Sequence, residues 1–195
     1  MNRISEKNDE LAFKHLFEKY ADGLLRFSFS ILNNKELAEE TVSDVYFRIW
    51  VHREKIAEIE NFKAYIYTSA RNIALNYLDK GKREKVILLE DIHVSLLIND
   101  ICPETELINS ELKEAIGRAI DHLPGRCKLI YSLAKIDQLK YKEIAQILNI
   151  SVKTIDHQLT IAIKKIGEEI RQYLGEQESS DRFSVLLHFF LPVGK

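Results

Sequence analysis

Residues 141–162 contain two short helical patterns separated by a tight turn, and this stretch restricts the possible fold more than any other. Apolar residues between Ile144 and Leu148 repeat at helical spacing, and the pattern stops at Asn149, which tolerates the left-handed conformation of a sharp turn. Ser151 is a strong N-cap, so a second helix is predicted to begin directly after it. The stretch therefore predicts a helix-turn-helix unit within a helical domain.

The second helix of this unit has two faces of different composition, counted at about 100° per residue. The apolar face is expected to pack on the rest of the domain. It consists of Val152, Ile155, Leu159, Ile163 and Ile166. The opposite face carries mainly hydrogen-bonding and cationic side chains, namely Lys153, Thr154, His157, Gln158, Ile161 and Lys164. This composition suits a helix in the major groove of DNA. A structural hairpin whose polar face meets only water is the alternative.

The composition favours helices and restricts the function. Only 7 Gly and 3 Pro occur in 195 residues, of which 46% are hydrophobic, so one or two compact helical domains are expected. The formal net charge is −2, whereas a protein that holds DNA unaided is usually basic, so a partner is expected to assist DNA binding. Cys102 and Cys127 lack metal-ligand spacing and are interpreted as reduced thiols of a cytoplasmic protein.

The sequence contains no recognisable signal segment, membrane-spanning run, nucleotide-binding loop or zinc motif. No catalytic residue, metal, cofactor or small-molecule substrate is therefore expected.

Two helices are predicted in the first third of the chain. The first begins at Asp9 or Glu10, breaks at Asn33-Asn34, and is so apolar that its aromatic residues are interpreted as core. The second runs from about Glu36 to Val51, and Phe47 falls opposite its apolar stripe. A large aromatic residue among carboxylates indicates an anchor for a partner, although a neighbouring helix covering Phe47 is the alternative.

A third helix, capped by Asn61 and ending near Lys82, mixes aromatic, amide and cationic side chains. Its aromatic and amide residues are Tyr65, Tyr67, Tyr77, Asn72 and Asn76. This mixture suits single-stranded DNA, whose bases stack on aromatic rings while its phosphates meet cations. Basic residues in a last helical turn also complement the helix dipole, so the pattern alone is weak.

Three stretches in this order resemble the extracytoplasmic-function (ECF) group of RNA polymerase sigma factors: 38–50, 62–78 and 123–166. The resemblance implies an all-α fold with two small helical domains joined by a flexible linker. The first is a three-helix region 2 domain, and the second is a helix-turn-helix region 4 domain. The implied divisions are 1–83 for region 2, 84–110 for an acidic linker, 111–174 for region 4 and 175–195 for a tail.

The resemblance also implies three sets of site residues. Those facing the polymerase are Glu40, Ser43, Asp44, Phe47, Arg48 and Trp50. The −10 element is recognised and melted by the loop 52–60 together with a second group of residues. This group is Arg71, Asn72, Asn76, Lys80, Lys82 and Arg83. Those reading the −35 element are Ser151, Lys153, Thr154, His157, Gln158 and Lys164.

The implied partners are core RNA polymerase, through its clamp coiled coil and flap, promoter DNA and an anti-sigma factor. Two residues depart from the family pattern, because Ser43 replaces a usual Gln and Lys140 replaces a capping Ser or Thr. A stand-alone helix-turn-helix regulator and a protein that sequesters a partner remain as alternatives. The apolar tail segment Ser184–Pro192 is too short to span a bilayer, and packing on the domain, a protein partner and a membrane surface remain as alternatives for it.

Overall fold

A computed structural model describes residues 10–81 and 110–174, and all regular structure in these ranges is helical. The first range contains α1 (Glu10–Leu32), α2 (Lys35–Val51), a 3₁₀ helix (Arg53–Glu58) and α3 (Phe62–Gly81). The second contains α4 (Ser110–Asp121), α5 (Gly125–Lys135), α6 (Tyr141–Leu148) and α7 (Val152–Leu174). The chain divides into two compact units, one for each range. The all-α prediction is confirmed, whereas the predicted tail and all of the predicted linker except Ser110 lie outside the described residues.

Side-chain caps fix the helix boundaries in the first unit. Asn33 adopts a left-handed conformation with φ of 46°, which ends α1. The Asn34 side chain then accepts a hydrogen bond of 2.9 Å from the Leu37 amide and starts α2. Asn61 caps α3 in the same way, since its Oδ1 accepts from the Ala64 amide at 3.0 Å. The predicted break and the predicted Asn61 cap are both confirmed.

The three α-helices of the first unit pack on one another around a buried core. Leu24, Val45 and Ile66 are all at most 1% exposed, and they come from α1, α2 and α3 respectively. The Phe27 and Tyr67 rings lie 5.3 Å apart in this core. Tyr67 is therefore a packing residue, and the interpretation of it as part of a base-stacking surface is wrong.

The first helix is less buried than its apolar sequence predicted. Leu11 is 67% exposed and Phe17 is 44% exposed, so α1 is not a core element along its whole length. The Phe17 ring lies 4.7 Å from that of Tyr46, whose hydroxyl donates to the Phe17 carbonyl at 3.3 Å. The helix is buried only where α2 and α3 cover it, and its apolar surface is wider than that contact.

In the second unit, α4, α5 and α6 pack against the long helix α7. Ile155, Leu159 and Ile166 are at most 2% exposed, which confirms these members of the predicted apolar face of α7. Ile163 is half-buried, and Val152, in the first turn of α7, remains 42% exposed. An amphipathic pattern predicts the side of a helix but not whether the neighbouring helices reach its end.

The turn between α6 and α7 has the predicted geometry. Asn149 has φ of 54° and ψ of 49°, the left-handed conformation. Ser151 Oγ accepts the Thr154 amide at 3.0 Å and caps α7. At the other end of α6, Glu143 Oε2 accepts the Lys140 amide at 2.7 Å. This bond is one half of a capping box. The other half requires an acceptor on the N-cap side chain, which Lys140 lacks.

The strain at Asn149 gives a testable stability difference. Asn149→Ala is expected to destabilise the second unit by about 1 kcal/mol, because a Cβ without a local polar group disfavours the left-handed region. Asn149→Gly is expected to cause no comparable loss, since glycine enters this region freely. Native-state hydrogen exchange of the most protected α6 and α7 amides measures both. Equal losses for the two variants would show that the Asn149 side chain matters for a reason other than backbone conformation.

Candidate nucleic-acid and protein interfaces

The outward face of α2 carries an exposed aromatic residue. Phe47 is 67% exposed and Val51, one turn later, is 50% exposed, although both are large and apolar. Glu40, Ser43 and Arg48 on the same side of the helix are also exposed. The Ser43 hydroxyl donates to the Glu39 carbonyl at 3.0 Å. The helix therefore presents an apolar centre with charged residues around it, which is the composition of a protein-binding surface.

Trp50 is a half-buried member of the predicted polymerase-facing set, as is Asp44. Its ring centroid lies 5.0 Å from that of Phe13 in α1, in an edge-to-face arrangement. The Arg53 guanidinium lies 5.1 Å from the centroid of the same ring, and its Nη1 donates to the Trp50 carbonyl at 3.0 Å. Trp50 thus fastens the end of α2 both to α1 and to the beginning of the 3₁₀ helix.

Asp44 is also engaged inside the first unit. The Tyr77 hydroxyl, from α3, donates to Asp44 Oδ2 at 3.0 Å. Desolvation, with the hydrogen bond to Asp44 next in importance, raises the pKa of Tyr77 to about 12. Tyr77 is therefore a neutral donor that joins α2 to α3, and its role in this structure is to connect helices rather than to form an exposed ring.

The outer face of α3 brings together an aromatic ring and two amides. Asn72 and Asn76 are both exposed, one turn apart, and Tyr65 lies on the same face and is 37% exposed. Arg71 lies beside this face and is half-buried. Lys80 belongs to α3, but its side chain lies outside the described part of the structure, as do Lys82 and Arg83.

A concave pocket lies between the 3₁₀ helix and the N-terminal half of α3. It has a volume of about 470 Å³ and is open to solvent on one side. Its lining is Ile49, His52, Lys55, Ile56, Glu58, Ile59 and Tyr65. A mostly apolar wall with an aromatic ring and a few polar groups at its edge is suited to a flat heterocycle. The sequence interpretation included the loop but missed the pocket, and it left Tyr65 out of the −10 set. The spacing of Tyr65 from Asn72 and Asn76 could have revealed it.

The predicted −35 residues on the outer face of α7 differ in whether their side chains project into solvent or are hydrogen-bonded within the helix cap. Lys153 and His157 are exposed, and Lys164 is exposed beside Glu168 at 3.9 Å, a surface pair of small energetic value. By contrast, the Ser151 and Thr154 hydroxyls are hydrogen-bonded to each other at 2.7 Å within the cap. The first turn of α7 is thus held rigidly, with cationic and imidazole groups projecting beyond it.

Gln158 is the member of this set that faces partly inward. It is half-buried, and its Oε1 accepts a hydrogen bond of 2.8 Å from the thiol of Cys127 in α5. Cys127 is buried and is not part of a disulfide. Helical periodicity placed Gln158 on the polar face, but it could not show that a second helix approaches this residue.

The described ranges hold neither a metal-binding cluster nor a membrane-spanning helix. Residues 10–81 and 110–174 contain no group of three or more His, Cys, Asp or Glu side chains arranged to hold a metal ion. In the same ranges, no helix combines the length and apolar character needed to cross a bilayer.

Comparison with protein families gives two matches that together cover well over half of the chain. A model of sigma-70 region 2 matches residues 16–84, and a model of sigma-70 region 4 matches residues 113–166. The first match contains α2, α3, the pocket and most of α1. The second contains the helix-turn-helix unit.

Individual relatives agree with these matches. The ECF RNA polymerase sigma factor SigW of Bacillus subtilis is 23% identical over an alignment of 173 residues, and the match covers 85% of this chain and 92% of SigW. The ECF RNA polymerase sigma-E factor of Haemophilus influenzae is 29% identical over an alignment of 176 residues, and the match covers 85% of this chain and 91% of that protein. Among solved structures, the sigma factor RpoE of Bartonella quintana, crystallised with the anti-sigma factor NepR, aligns with a TM-score of 0.51 and 21% identity. The alignment covers 82% of this chain and 96% of that one, and it shows a similar fold.

Proposed function

Because the chain belongs to the ECF group of RNA polymerase sigma factors, we propose that its two helical units read two separate promoter elements. As a member of this family, it binds core RNA polymerase and directs transcription initiation at specific promoters. Sigma factors are non-catalytic subunits of RNA polymerase, and the proposal extends this to the present chain. Three separate surfaces of the two units are proposed to bind the polymerase, the −10 element and the −35 element.

The outward face of α2 is the proposed contact with the polymerase clamp. Its support is the exposed Phe47 and Val51 among charged residues, because buried aromatic anchors surrounded by a polar rim carry most of the free energy of protein binding. Glu40, Ser43, Asp44 and Arg48 complete the rim. Trp50 is proposed to act through its packing on Phe13 and Arg53, which holds the end of α2 in place.

The outer face of α3 and the adjacent pocket are the proposed site for the −10 element, and this arrangement is the observation that carries the proposal. A generic helix-turn-helix regulator has no need for an aromatic ring at a pocket in a separate domain. One unpaired base of the melted strand would enter the pocket against Tyr65. Asn72 and Asn76 would bind neighbouring bases along the same face, while Arg71, Lys80, Lys82 and Arg83 would meet phosphates.

Removing the Tyr65 ring tests this arrangement. Tyr65→Ala is expected to slow open-complex formation about tenfold, since a base stacked on an aromatic side chain gains roughly 1–3 kcal/mol. Tyr65→Phe should retain most of the rate. Permanganate footprinting of unpaired thymines in the −10 region measures the melted fraction over time.

Tyr173 provides a matched control for Tyr65. It is 36% exposed, against 37% for Tyr65, but it lies near the end of α7 in the other unit. Tyr173→Ala is therefore expected to leave melting unchanged. A similar loss of rate in both variants would rule out a specific stacking role for Tyr65.

The N-terminal part of α7 is the proposed reader of the −35 element. Lys153, His157 and Lys164 are exposed and supply the groups that contact bases and phosphates. Ser151 and Thr154 are proposed to act mainly by holding the first turn, because their hydroxyls are bonded to each other. Gln158 would contact DNA from the edge of the helix nearest α5.

The remaining assignments depend on this role. We propose that the chain acts in the cytoplasm, where core polymerase and chromosome meet, and that it functions without a cofactor. Region 2 would span 1–83, the linker 84–110, region 4 111–174 and the tail 175–195. The similar RpoE from Bartonella quintana was crystallised with an anti-sigma factor, and a comparable inhibitor is proposed for this chain.

Reconstituted transcription is the direct test of the proposed function. Purified full-length chain and core polymerase are incubated with fragments of the source genome, and run-off transcripts are sequenced at their 5′ ends. Promoter-dependent transcripts sharing −35 and −10 elements are expected only when both proteins are present. A gel shift at low salt separates the alternatives, because specific high-affinity binding by the chain alone would indicate a stand-alone regulator instead.

A further inference from the structure

A side-chain hydrogen bond between Cys127 and Gln158 ties a proposed −35 residue to another helix of the second unit. Cys127 lies near the beginning of α5 and is 2% exposed. Its thiol donates to Gln158 Oε1 at 2.8 Å. Burial raises the pKa of this thiol, against the opposing influence of Lys165 and Arg126, so the thiol keeps the proton that it donates.

This bond restricts the orientation of the Gln158 side-chain amide. A free glutamine offers one acceptor and one donor group, and together these form the bidentate pair with N6 and N7 of adenine. Here the oxygen points inward to Cys127, so the NH₂ group is left on the outer side. A donor alone matches the O6 and N7 acceptors of guanine, whereas it leaves the N6 amino group of adenine without an acceptor.

We propose that Cys127 is a positioning residue that fixes the amide orientation of Gln158, an inference that rests on the proposed −35 role of α7. The helix then presents a hydrogen-bond donor and selects guanine over adenine at one position of the −35 element. The specificity of the recognition helix is thus partly set by a residue of α5 that does not touch DNA.

Three variants of the full chain test this inference in complex with core polymerase. Cys127→Val removes the donor and frees the amide to rotate, while Cys127→Ser keeps a hydroxyl donor. Gln158→Ala removes the amide. Each holoenzyme transcribes a promoter set in which every −35 position carries each of the four bases in turn. Cys127→Val is expected to lower the guanine-to-adenine preference about tenfold at one position, within the discrimination that a base contact supplies. Cys127→Ser should keep the wild-type preference.

Two controls separate positioning from a general packing defect. Leu129→Val changes another buried side chain of α5, 2% exposed, and is expected to affect all four bases equally. In the Gln158→Ala background, Cys127→Val should cause no further change of base preference. Cys127→Ala replaces Cys127→Val in all arms if the larger side chain prevents folding.

Two results would overturn the inference. One is a uniform loss in Cys127→Val across the four bases, as with Leu129→Val, which would mean that the thiol only packs or that Gln158 meets a phosphate. The other is a shifted preference that persists without Gln158. A wild-type holoenzyme with no dependence on any −35 base would be a distinct outcome, since it would overturn the proposed function and the inference with it.

Discussion

Replacing Phe47 with alanine is expected to weaken binding of the full chain to core RNA polymerase by about 30-fold or more, equivalent to the roughly 2 kcal/mol of a hot-spot residue. The physical reason is that 67% of this residue is exposed in the free chain, so its burial is available to a partner. The same exposure means that folding gains little from the ring. The free energy of unfolding is therefore expected to change by no more than about 0.5 kcal/mol. Fluorescence anisotropy of a labelled chain titrated with core polymerase measures the affinity.

Leu11 is the matched control for this substitution. It is also apolar and 67% exposed, but it lies in the first turn of α1 rather than on the outer face of α2. Leu11→Ala is expected to leave the affinity unchanged within about twofold, as for a surface residue outside an interface. Unchanged affinity for Phe47→Ala would falsify the assignment of α2 as the polymerase contact.

The second large effect is expected from the recognition helix. Lys153→Ala combined with His157→Ala should lower transcription from a promoter with an intact −35 element about 30-fold, because one base contact and one phosphate contact are lost. The same double variant should lower transcription much less from a promoter whose −35 element has been scrambled. Both side chains are exposed, so the fold should persist.

Melting of the −10 element provides the internal control for this double variant. On a template that is already unpaired from the −10 element to the start site, the loss should be as large as on the duplex template, because the missing −35 contacts are made to duplex DNA in both. Rescue of the variant by the pre-melted template would contradict the division of promoter reading between the two units. The Lys164→Ala variant, further along α7, should show a smaller effect that depends more on salt than on sequence.

The helical architecture could be predicted from the sequence because local signals agreed with one another. Asn61 and Ser151 cap two helices as predicted, and Asn149 adopts the left-handed turn. Such caps involve residues within three or four positions, so a single sequence contains them completely. The outward position of Phe47 was predictable for the same reason, since helical periodicity alone places it opposite the buried stripe.

The features that could not be predicted all depend on contacts between helices. Helical spacing places Tyr65 and Tyr67 on different sides of α3, but it does not show that Tyr67 packs on Phe27 or that Tyr65 lines a pocket. Trp50 and Gln158 were assigned to exposed faces by periodicity, but each is half-buried where another helix approaches. A helical wheel gives directions around one axis, whereas burial depends on where the neighbouring axes lie.

The contacts between α2 and the 3₁₀ helix connect the two proposed binding sites of the first unit. Arg53 binds both the ring and the carbonyl of Trp50, and Ile49, two residues from Phe47, contributes to the pocket wall. The helix α2 therefore belongs to both the proposed polymerase contact, through Phe47, and the proposed base-capture site, through Ile49. Any change that polymerase binding causes in this shared element would alter the affinity for an unpaired base, and such a coupling is reciprocal. Whatever factor polymerase contributes to the affinity for an unpaired base, the captured base contributes the same factor to the affinity for polymerase.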